Sequence, residues 1–400
     1  MRKKGWIGLL SLLLLVALCA PAGALAADEN GAKSTKEAAP AVELAPNATS
    51  AVLLDADTGT VLYEKNMNEK KAPASITKIM TMVLIMEALD QGKIQMNEKV
   101  RTSEYAASMG GSQIFLEPGE ELTVEEMLKG IAMASGNDAS VAMAEKIGGT
   151  EEAFVAMMNA KAKELGMNNT HFVNVNGLPA DNHYTTAYDI AVMSRELLKH
   201  EEITKYTGQY QDYLRKDTAN PFWLVNTNKL VRFYAGADGL KTGYTSEAKF
   251  CLSATAKRDN FRIVAVVMGE PNTKTRNAEV TKLFDYAFSQ YTNHPIFKTG
   301  DPIGTLQVAK GKQTEVSLTA NHQYSVLLKK GEAGADIRHE LQLEPGLKAP
   351  IKMGQPIGKL VVFKGDVKIA EFPIESPLDV QKAGLWTLLK RTAGQMFTID

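Results

Sequence analysis

Cysteine and histidine are scarce in this chain, and their scarcity excludes one class of site. The 400 residues contain two cysteines and six histidines. The histidines do not have the spacing of metal-ligand motifs such as H-E-x-x-H, and no set of cysteines accompanies them. The sequence therefore predicts no metal site.

An excess of charge of either sign is also missing. Lysine and arginine total 45, aspartate and glutamate total 46, and the formal net charge is −1. A protein that binds nucleic acid needs a concentrated basic face, and no such cluster is present. Nucleic acid is therefore excluded as a partner.

The first residues have the three parts of a secretory signal. Residues 2–4 are basic, residues 6–20 are apolar, and residues 24–26 read Ala-Leu-Ala, a small-x-small cleavage site. The apolar stretch is short for crossing about 30 Å of hydrocarbon. We therefore expect residues 1–26 to be a signal peptide and the protein to be exported.

Cleavage after residue 26 would remove Cys19 and leave Cys251 as the lone cysteine. No internal disulfide could then form, so stability must come from a packed core. A lipoprotein is the alternative at Cys19, although the bulky Leu18 before it fits such a site poorly. Residues 27–46 are rich in Ala, Glu, Lys and Pro and are predicted to be a flexible leader.

Residues 47–293 show strand patterns at both ends and helix patterns between them, which favours an α+β fold with an antiparallel sheet flanked by helices. Strands are predicted at 50–55, 60–63, 240–245, 250–257 and 261–268, and helices at 79–89, 123–134, 138–147, 151–165, 186–199 and 277–291. The helix at 123–134 opens with a capping box.

The pattern changes beyond residue 293. Short alternating runs punctuated by Gly and Pro predict a small all-β sandwich over residues 300–376. Residues 379–397 fit an amphipathic helix whose apolar side includes Leu385 and Leu389, with Trp386 at its border. Such a helix can lie in a membrane surface. The alternative is a helix docked on the β domain.

Ser75 and Lys78 form the most informative pair in the chain. They stand three residues apart at the head of the predicted helix 79–89, so both side chains share one face. A serine hydroxyl is a poor nucleophile without a base within hydrogen-bond reach, and Lys78 is placed to be that base. Lys78 can accept a proton only when neutral, so burial and a second cation must lower its pKa.

Two further motifs follow in order, Ser135-Gly136-Asn137 and Lys241-Thr242-Gly243. Ser135 can pass a proton to a leaving amine, and Asn137 can bind a substrate amide or hold Lys78. Lys241 is either the second cation or a ligand for an anionic substrate end. Thr242 offers another hydroxyl.

Gly243 lets a substrate backbone approach the strand closely, so that an extended peptide can add along its edge. An oxyanion needs two backbone N–H donors. The N–H of Ser75 is one candidate, and an N–H just beyond Gly243 is the second. Taken singly, each of the three motifs is also compatible with an ordinary turn, strand edge or surface position.

Together the three motifs resemble those of the D-alanyl-D-alanine carboxypeptidases, which are low-molecular-weight penicillin-binding proteins. The segments 172–178 and 183–189 add to the resemblance, which covers about residues 47–291. It implies a penicillin-binding and β-lactamase-like catalytic domain followed by a β domain. It also implies that Ser75 is the acylated nucleophile, that the Tyr244 N–H completes the oxyanion hole, and that Arg276 faces a substrate carboxylate.

The same resemblance implies the function: removal of the terminal D-alanine from peptidoglycan stem pentapeptides, inhibition by β-lactams, no cofactor, and attachment to the outer face of the cytoplasmic membrane. A β-lactamase, an endopeptidase acting on crosslinks and a catalytically silent wall-binding scaffold remain alternatives. Glu164 and Asn168 have the spacing of a β-lactamase deacylation site, but Glu164 also fits a solvated helix end before Leu165 and Gly166.

Overall fold

The computed structural model describes residues 42–397, except residue 333. The predicted signal peptide at 1–26 and the leader up to residue 41 lie outside the described residues. The remaining end of the predicted leader differs from the expectation. Leu44 and Ala45 are buried against the second of the two cores described below, because they are apolar residues beside the sheet rather than part of a solvated linker.

An N-terminal region, residues 43–290, contains the predicted α+β arrangement. Its strands are β1 (Ser50–Asp55), β2 (Val61–Lys65), β3 (Lys99–Arg101), β4 (Glu121–Thr123), β5 (Gln211–Leu214), β6 (Phe222–Val225), β7 (Ala237–Thr245), β8 (Lys249–Arg258) and β9 (Phe261–Glu270). Five of them form an antiparallel sheet in the order β2-β1-β9-β8-β7, so that β7 is an edge strand. The other four form two hairpins, β3–β4 and β5–β6.

The helices of this region lie on both faces of the sheet. They are α1 (Lys78–Asp90), α2 (Glu104–Ala107), α3 (Val124–Lys129), α4 (Asn137–Gly148), α5 (Glu151–Glu164), α6 (Ala187–Leu198), α7 (Thr204–Thr207), α8 (Leu230–Phe233) and α9 (Thr273–Gln290). A 3₁₀ turn, Ala74–Thr77, precedes α1, and another, Glu201–Ile203, precedes α7.

The strand β9 separates two hydrophobic cores. Alternate residues of a strand point to opposite faces. Accordingly Ile263 and Val267 pack with α9 on one face, whereas Val264 and Val266 pack in the core that contains α1 and α6. Because both faces are covered, the strand reads as a continuous apolar run rather than an alternating one. Helix α1 is buried on nearly every side, which fixes the end that carries Lys78.

The helix predicted at 123–134 is correct at its start and wrong at its end. Thr123 and Glu126 form the predicted capping box of α3. The segment Gly130–Ala134 is then wound as a π-helix, and Ser135 ends it in the left-handed conformation with φ of +64°. A π turn has the same apolar composition as an α turn, so the sequence pattern does not distinguish them.

A β domain follows from residue 291. Its strands are β10 (Tyr291–Phe297), β11 (Pro302–Gln307), β12 (Glu315–Thr319), β13 (Tyr324–Lys329), β14 (Ile337–Leu343), β15 (Pro356–Lys364) and β16 (Val367–Glu375). They pair as β10–β13, β11–β12 and β14–β15–β16, and they enclose a core that includes Leu306, Leu318 and Leu360. Asp57 of the N-terminal region joins the domain through its Oδ2, which accepts hydrogen bonds from Asn293 Nδ2 and Ser325 Oγ, both 2.7 Å long.

The last helix begins later than the sequence predicted. Helix α10 spans Leu385–Phe397 rather than 379–397. Val380 is buried and pairs with Ile351 in an isolated bridge, so its apolar side chain belongs to the β domain core. Within residues 42–397, leaving out residue 333, we find no helix with the length and hydropathy needed to span a bilayer.

Candidate active site

Ser75 and Lys78 meet as the sequence predicted. Ser75 lies in the 3₁₀ turn Ala74–Thr77, and its Oγ is 3.2 Å from Lys78 Nζ. The same Nζ donates to Asn137 Oδ1 and to the carbonyl of Asn176, each at 2.6 Å. A neutral amine has two N–H donors and one lone pair. With both donors used on these oxygens, the lone pair is left for the Ser75 hydroxyl.

The surroundings of the Lys78 side chain favour its neutral form. It is fully buried at the start of α1. Burial is the largest cause that lowers its pKa well below the ordinary value, and the nearby Lys241 cation is the second, while the Asp138 carboxylate opposes them. Both causes predicted from the sequence are therefore present. The amine is suited to accept a proton at neutral pH.

Asn137 is oriented by the loop that faces it. Its Nδ2 donates to the carbonyl of Gly110 at 2.6 Å, and its backbone N–H donates to the carbonyl of Ser112 at 2.7 Å. A carbonyl only accepts, so the first bond fixes which end of the Asn137 amide is nitrogen. Its Oδ1 is consequently the atom presented to Lys78.

The Ser135 hydroxyl differs from the other hydroxyls of this site because it forms no hydrogen bond within the described residues. Its Oγ is buried and has no hydrogen-bond partner within the part of the chain that the structure describes. Its left-handed backbone conformation ends the π-helix Gly130–Ala134 immediately before Gly136 and Asn137. A buried hydroxyl without a partner is costly, and such groups call for an explanation in function.

The third motif lies on the edge strand β7. Lys241 is buried and donates through Nζ to the carbonyl of Thr242 at 3.0 Å. Burial, followed by the charge of Arg276, lowers the pKa of Lys241 to about 7. Thr242 Oγ1 donates to Thr227 Oγ1 at 2.8 Å. Lys241 can therefore exist as either cation or amine near neutral pH.

Gly243 brings β7 against the turn that carries the serine. A Cβ placed on Gly243 would lie 3.1 Å from the Pro73 carbonyl oxygen and from Ile76 Cγ1. The absence of a side chain at Gly243 thus serves packing inside the protein, in addition to the substrate access that the sequence predicts. The next residue, Tyr244, is 56% exposed, and its ring lies 4.4 Å from that of Phe250.

Arg276 is buried in the first turn of α9. Its Nε and one terminal nitrogen donate to Asn277 Oδ1 at 3.1 and 2.9 Å. Burial lowers its pKa to about 10, and its charge in turn acts on Lys241. The structure therefore brings two buried cations into electrostatic reach of each other beside β7. Like charges held together in this way favour the arrival of an anion.

Sequence reasoning missed Asn176 as a contact of Lys78. The residue lies in the segment 172–178, which the family resemblance singled out without a role. Its neighbour Gly177 has φ of +83°, and a Cβ there would lie 1.8 Å from the Ala74 carbonyl oxygen. Glycine is thus required where the Asn176 loop crosses the serine turn.

His183 was also missed, and it braces the serine turn. The Val173 N–H donates to His183 Nδ1 at 3.0 Å, so the ring proton lies on Nε2, which is 2.8 Å from Thr77 Oγ1. Thr77 Oγ1 in turn donates to the Ala74 carbonyl at 2.9 Å. Burial lowers the pKa of His183 to about 4, with a smaller effect of His171, so the ring is neutral.

In the segments 42–332 and 334–397 we find no cluster of side chains that could hold a metal ion.

Two family models together match most of the chain. A family model described as D-alanyl-D-alanine carboxypeptidase matches residues 33–272, and one described as penicillin-binding protein 5, C-terminal domain, matches residues 291–382. The chain is 60% identical over 352 residues to D-alanyl-D-alanine carboxypeptidase DacF of Bacillus subtilis, covering 88% of this chain and 90% of that one. It is 32% identical over 370 residues to DacA of Escherichia coli K12, covering 90% and 89%.

Solved structures show the same likeness. Penicillin-binding protein 5 from Haemophilus influenzae is 31% identical, with a TM-score of 0.66 over 84% of this chain and 98% of that one. Penicillin-binding protein 6B from Escherichia coli is 31% identical, with a TM-score of 0.64 over 82% and 95%. The predicted α+β fold and the predicted family are therefore confirmed, and the chain belongs to the D-alanyl-D-alanine carboxypeptidase family.

Proposed function

We propose that this protein is a serine-type D-Ala-D-Ala carboxypeptidase that removes the terminal D-alanine from peptidoglycan stem pentapeptides. The observation that carries the proposal is the position of Lys78 Nζ, which lies 3.2 Å from Ser75 Oγ with both of its N–H donors engaged elsewhere. A serine paired with a buried neutral amine is an activated nucleophile. Family membership supplies the substrate class.

In the first half of the reaction, Ser75 Oγ attacks the carbonyl carbon of the scissile amide, and its proton passes to Lys78 Nζ. A tetrahedral oxyanion forms and collapses to an ester on Ser75, while the amide C–N bond breaks. Ser135 Oγ, which has no partner within residues 42–397 as described, relays the proton to the nitrogen of the leaving D-alanine. The proton thus moves from alcohol to amine without any external acid.

The oxyanion is stabilised by backbone donors. The Ser75 N–H is at the start of a 3₁₀ turn, where N–H groups have no partner within the helix. The Tyr244 N–H on β7 is the second donor in our proposal. Because Gly243 packs β7 against the serine turn, the two donors belong to backbones in contact. Such preorganised donors act without rearrangement in the transition state.

The substrate carboxylate has a place beside the two buried cations. Lys241 and Arg276 would bind the terminal carboxylate of the pentapeptide, with Thr242 as a hydroxyl ligand and Asn137 bound to the peptide amide. The pKa of about 7 at Lys241 supports this role, because an arriving anion would favour its charged form. A β-lactam presents a carboxylate and a strained amide in the same relation, so it would acylate Ser75 as well.

In the second half, water attacks the ester carbon and loses a proton to Lys78. The ester C–O bond then breaks, Lys78 returns the proton to Ser75 Oγ, and the shortened peptide leaves as its carboxylic acid. No cofactor takes part in our proposal. A dedicated deacylating carboxylate of the β-lactamase kind is not supported at Glu164. That side chain is 65% exposed and pairs with Lys161 at 2.7 Å at the end of α5. Glu164 is therefore a solvated helix-end residue.

We also propose that the mature protein acts outside the cytoplasm and binds the membrane surface through α10. Leu385, Trp386 and Leu389 are more than half exposed along this helix. On its other side, Arg391 donates to the Gly311 carbonyl at 2.7 Å. A helix that bonds the β domain through a polar residue and exposes apolar ones is suited to an interface. Replacement of Trp386 and Leu389 by Ser should abolish cosedimentation with anionic lipid vesicles, and retained cosedimentation would exclude this attachment.

The decisive experiment is mass spectrometry of a defined stem pentapeptide incubated with the protein. We expect loss of one alanine, and no loss with Ser75→Ala. A labelled penicillin separates the alternatives. A stable adduct on Ser75 supports the carboxypeptidase, fast hydrolysis indicates a β-lactamase, and the absence of any adduct indicates a silent scaffold. Release of peptides from a crosslinked dimer instead of the pentapeptide would indicate an endopeptidase.

A further inference from the structure

Glu270 is a buried carboxyl group that the proposed mechanism does not use. It is the last residue of β9, its side chain is fully buried, and neither Oε1 nor Oε2 accepts a hydrogen bond from an N–H or hydroxyl donor within the described residues. An ionised carboxylate that is buried without a hydrogen-bond donor or a counterion is strongly destabilised. Glu270 therefore has to hold a proton or face a cation.

Its nearest acidic neighbour, Glu279, is held as the carboxylate of the pair. Glu279 Oε1 accepts from the backbone N–H of Asn47 at 2.9 Å and from Asn47 Nδ2 at 2.6 Å, and its Oε2 accepts from the Ala48 N–H at 3.1 Å. Three donors favour the charged form of Glu279. Two adjacent buried carboxyl groups cannot both ionise easily, so the proton resides on Glu270. Burial first, and Glu279 second, raise the pKa of Glu270 to about 8.

The cations around this pair are Arg276 on α9 and Lys65 on β2, and the remaining titratable neighbour is Cys251 on β8. Lys65 Nζ donates to the carbonyls of Ala45 and Pro46 at 3.0 and 2.8 Å, and its charge is paired with Glu43 Oε1 at 3.8 Å. Cys251 is neutral, because burial raises the pKa of its thiol to about 11. Lys65 has the larger effect on the pKa of Glu270, but it has an acid of its own in Glu43, so Arg276 is the unpaired cation that an ionised Glu270 would attract.

Arg276 and Glu279 stand three residues apart on one face of α9, and Glu270 is close enough to both to interact with them electrostatically. Arg276 forms hydrogen bonds to Asn277. Within residues 42–332 and 334–397, it forms no ion pair with an acid. A buried arginine without an anionic partner destabilises the folded protein. A bound substrate carboxylate would supply the missing negative charge and offset this destabilisation.

We propose that Glu270 is a positioning residue that, by holding the proton shared with Glu279, keeps Arg276 unpaired and available to the terminal carboxylate of the substrate. This inference rests on the proposed function of the site. When the proton leaves, Glu270 becomes an anion that competes with the substrate for the same guanidinium. Substrate affinity should then fall, while the Ser75–Lys78 chemistry is unaffected.

The test is the ratio of KM for the parent protein to KM for Glu270→Gln, measured with a stem pentapeptide from pH 6 to pH 9.5. Glutamine is isosteric and neutral at every pH. We expect a ratio near one at low pH that rises to roughly tenfold with a midpoint near pH 8, with matching kcat values. Titration of Lys241 affects both proteins alike and cancels in the ratio. Glu164→Gln, which changes an exposed carboxylate, should leave the ratio at one.

A double-mutant cycle separates this role from a structural one. In an Arg276→Ala background, Glu270→Gln should no longer change the pH dependence of KM, because the guanidinium that Glu270 would attract is gone. A ratio that stays flat across the pH range, or an unchanged pH effect in the Arg276→Ala background, would overturn the proposal.

Two further measurements test the inference if the pentapeptide is not cleaved or if the Glu270→Gln variant does not fold. If the pentapeptide is not cleaved, the proposed function fails, and the same ratio is taken from the second-order rate of Ser75 acylation by benzylpenicillin, which also carries a carboxylate. If Glu270→Gln does not fold, carbon-13 NMR of glutamate-labelled parent protein decides. A buried carboxyl that titrates near pH 8 supports the proposal, and its absence refutes it.

Discussion

The N-terminal region and the β domain differ in where their ionisable side chains lie. The first buries Lys78, Lys241, Arg276 and Glu270. The β domain, in the residues described, buries apolar and neutral polar side chains but no charged ones. Its ion pairs, such as Arg338–Glu340, Lys359–Glu371 and Lys364–Glu332, are solvent-exposed. Burying an ionisable group is destabilising whether the group keeps its charge or is neutralised, so the N-terminal region carries a cost in stability that the β domain does not.

The largest effect that would sharpen this contrast is at Lys78. We expect Lys78→Met to lower the rate of Ser75 acylation by about 10⁴-fold with the fold retained, because the base is lost while an apolar side chain fills its buried place. Labelled penicillin followed over time measures the rate. Lys205→Met, which removes an exposed lysine paired with Glu202, is the control. Acylation of Lys78→Met at the parental rate would show that Lys78 is not the base.

The second effect is on stability, at Lys241. Its pKa is about 7 in the folded protein, against 10.5 for an ordinary lysine, so the unfolded chain binds more protons between these values. Stability should therefore rise with pH in this window, by at most about 1.4 kcal/mol per pH unit. Lys241→Met should remove this part of the slope in urea unfolding from pH 7 to pH 10.

The β domain provides the control for that measurement. Lys359→Met changes an exposed lysine paired with Glu371 and should keep the parental slope. If Lys241→Met and the parent protein show the same pH dependence, Lys241 is charged in the folded protein, and the contrast between the two regions is weaker than described.

A third comparison uses two glycines that share a left-handed backbone. Gly177 (φ +83°) and Gly346 (φ +71°) lie in the N-terminal region and the β domain respectively. A Cβ on Gly177 would collide with the Ala74 carbonyl, whereas nothing lies within 4 Å of one on Gly346. We expect Gly177→Ala to cost about 3 kcal/mol or more and to impair acylation, and Gly346→Ala to cost about 1 kcal/mol. Equal melting temperatures would contradict the clash.

The smallest effect concerns the contact between the two regions. Ser325→Ala removes one of two hydrogen bonds to Asp57 and should lower the free energy of unfolding by about 1 kcal/mol without changing acylation. Ser317→Ala, at an exposed position of β12, should change neither quantity. A loss of acylation in Ser325→Ala would mean that the regions are coupled in function, and not only in stability.

The sequence predicted most of this arrangement because its signals are local. The capping box at Thr123, the buried helix behind Lys78 and the three motifs depend on residues a few positions apart. The contacts of Asn176 and His183 were missed because they depend on loops brought to the serine turn by tertiary packing. The start of α10 was wrong because Val380, which also suits a helix, pairs instead with Ile351.

The π-helix Gly130–Ala134 has a consequence for how this chain tolerates change. An α-helix advances by about 100° of rotation for each residue. A single deletion between residues 130 and 134 would let the segment rewind as an ordinary helix continuous with α3. In an uninterrupted α-helix the loss of one residue would turn every later side chain by about that angle. Here the π turn already holds one residue more than an α turn, so Ser135 would keep nearly its present rotation, and the segment can lose one apolar residue while the Ser135 hydroxyl stays directed at the site.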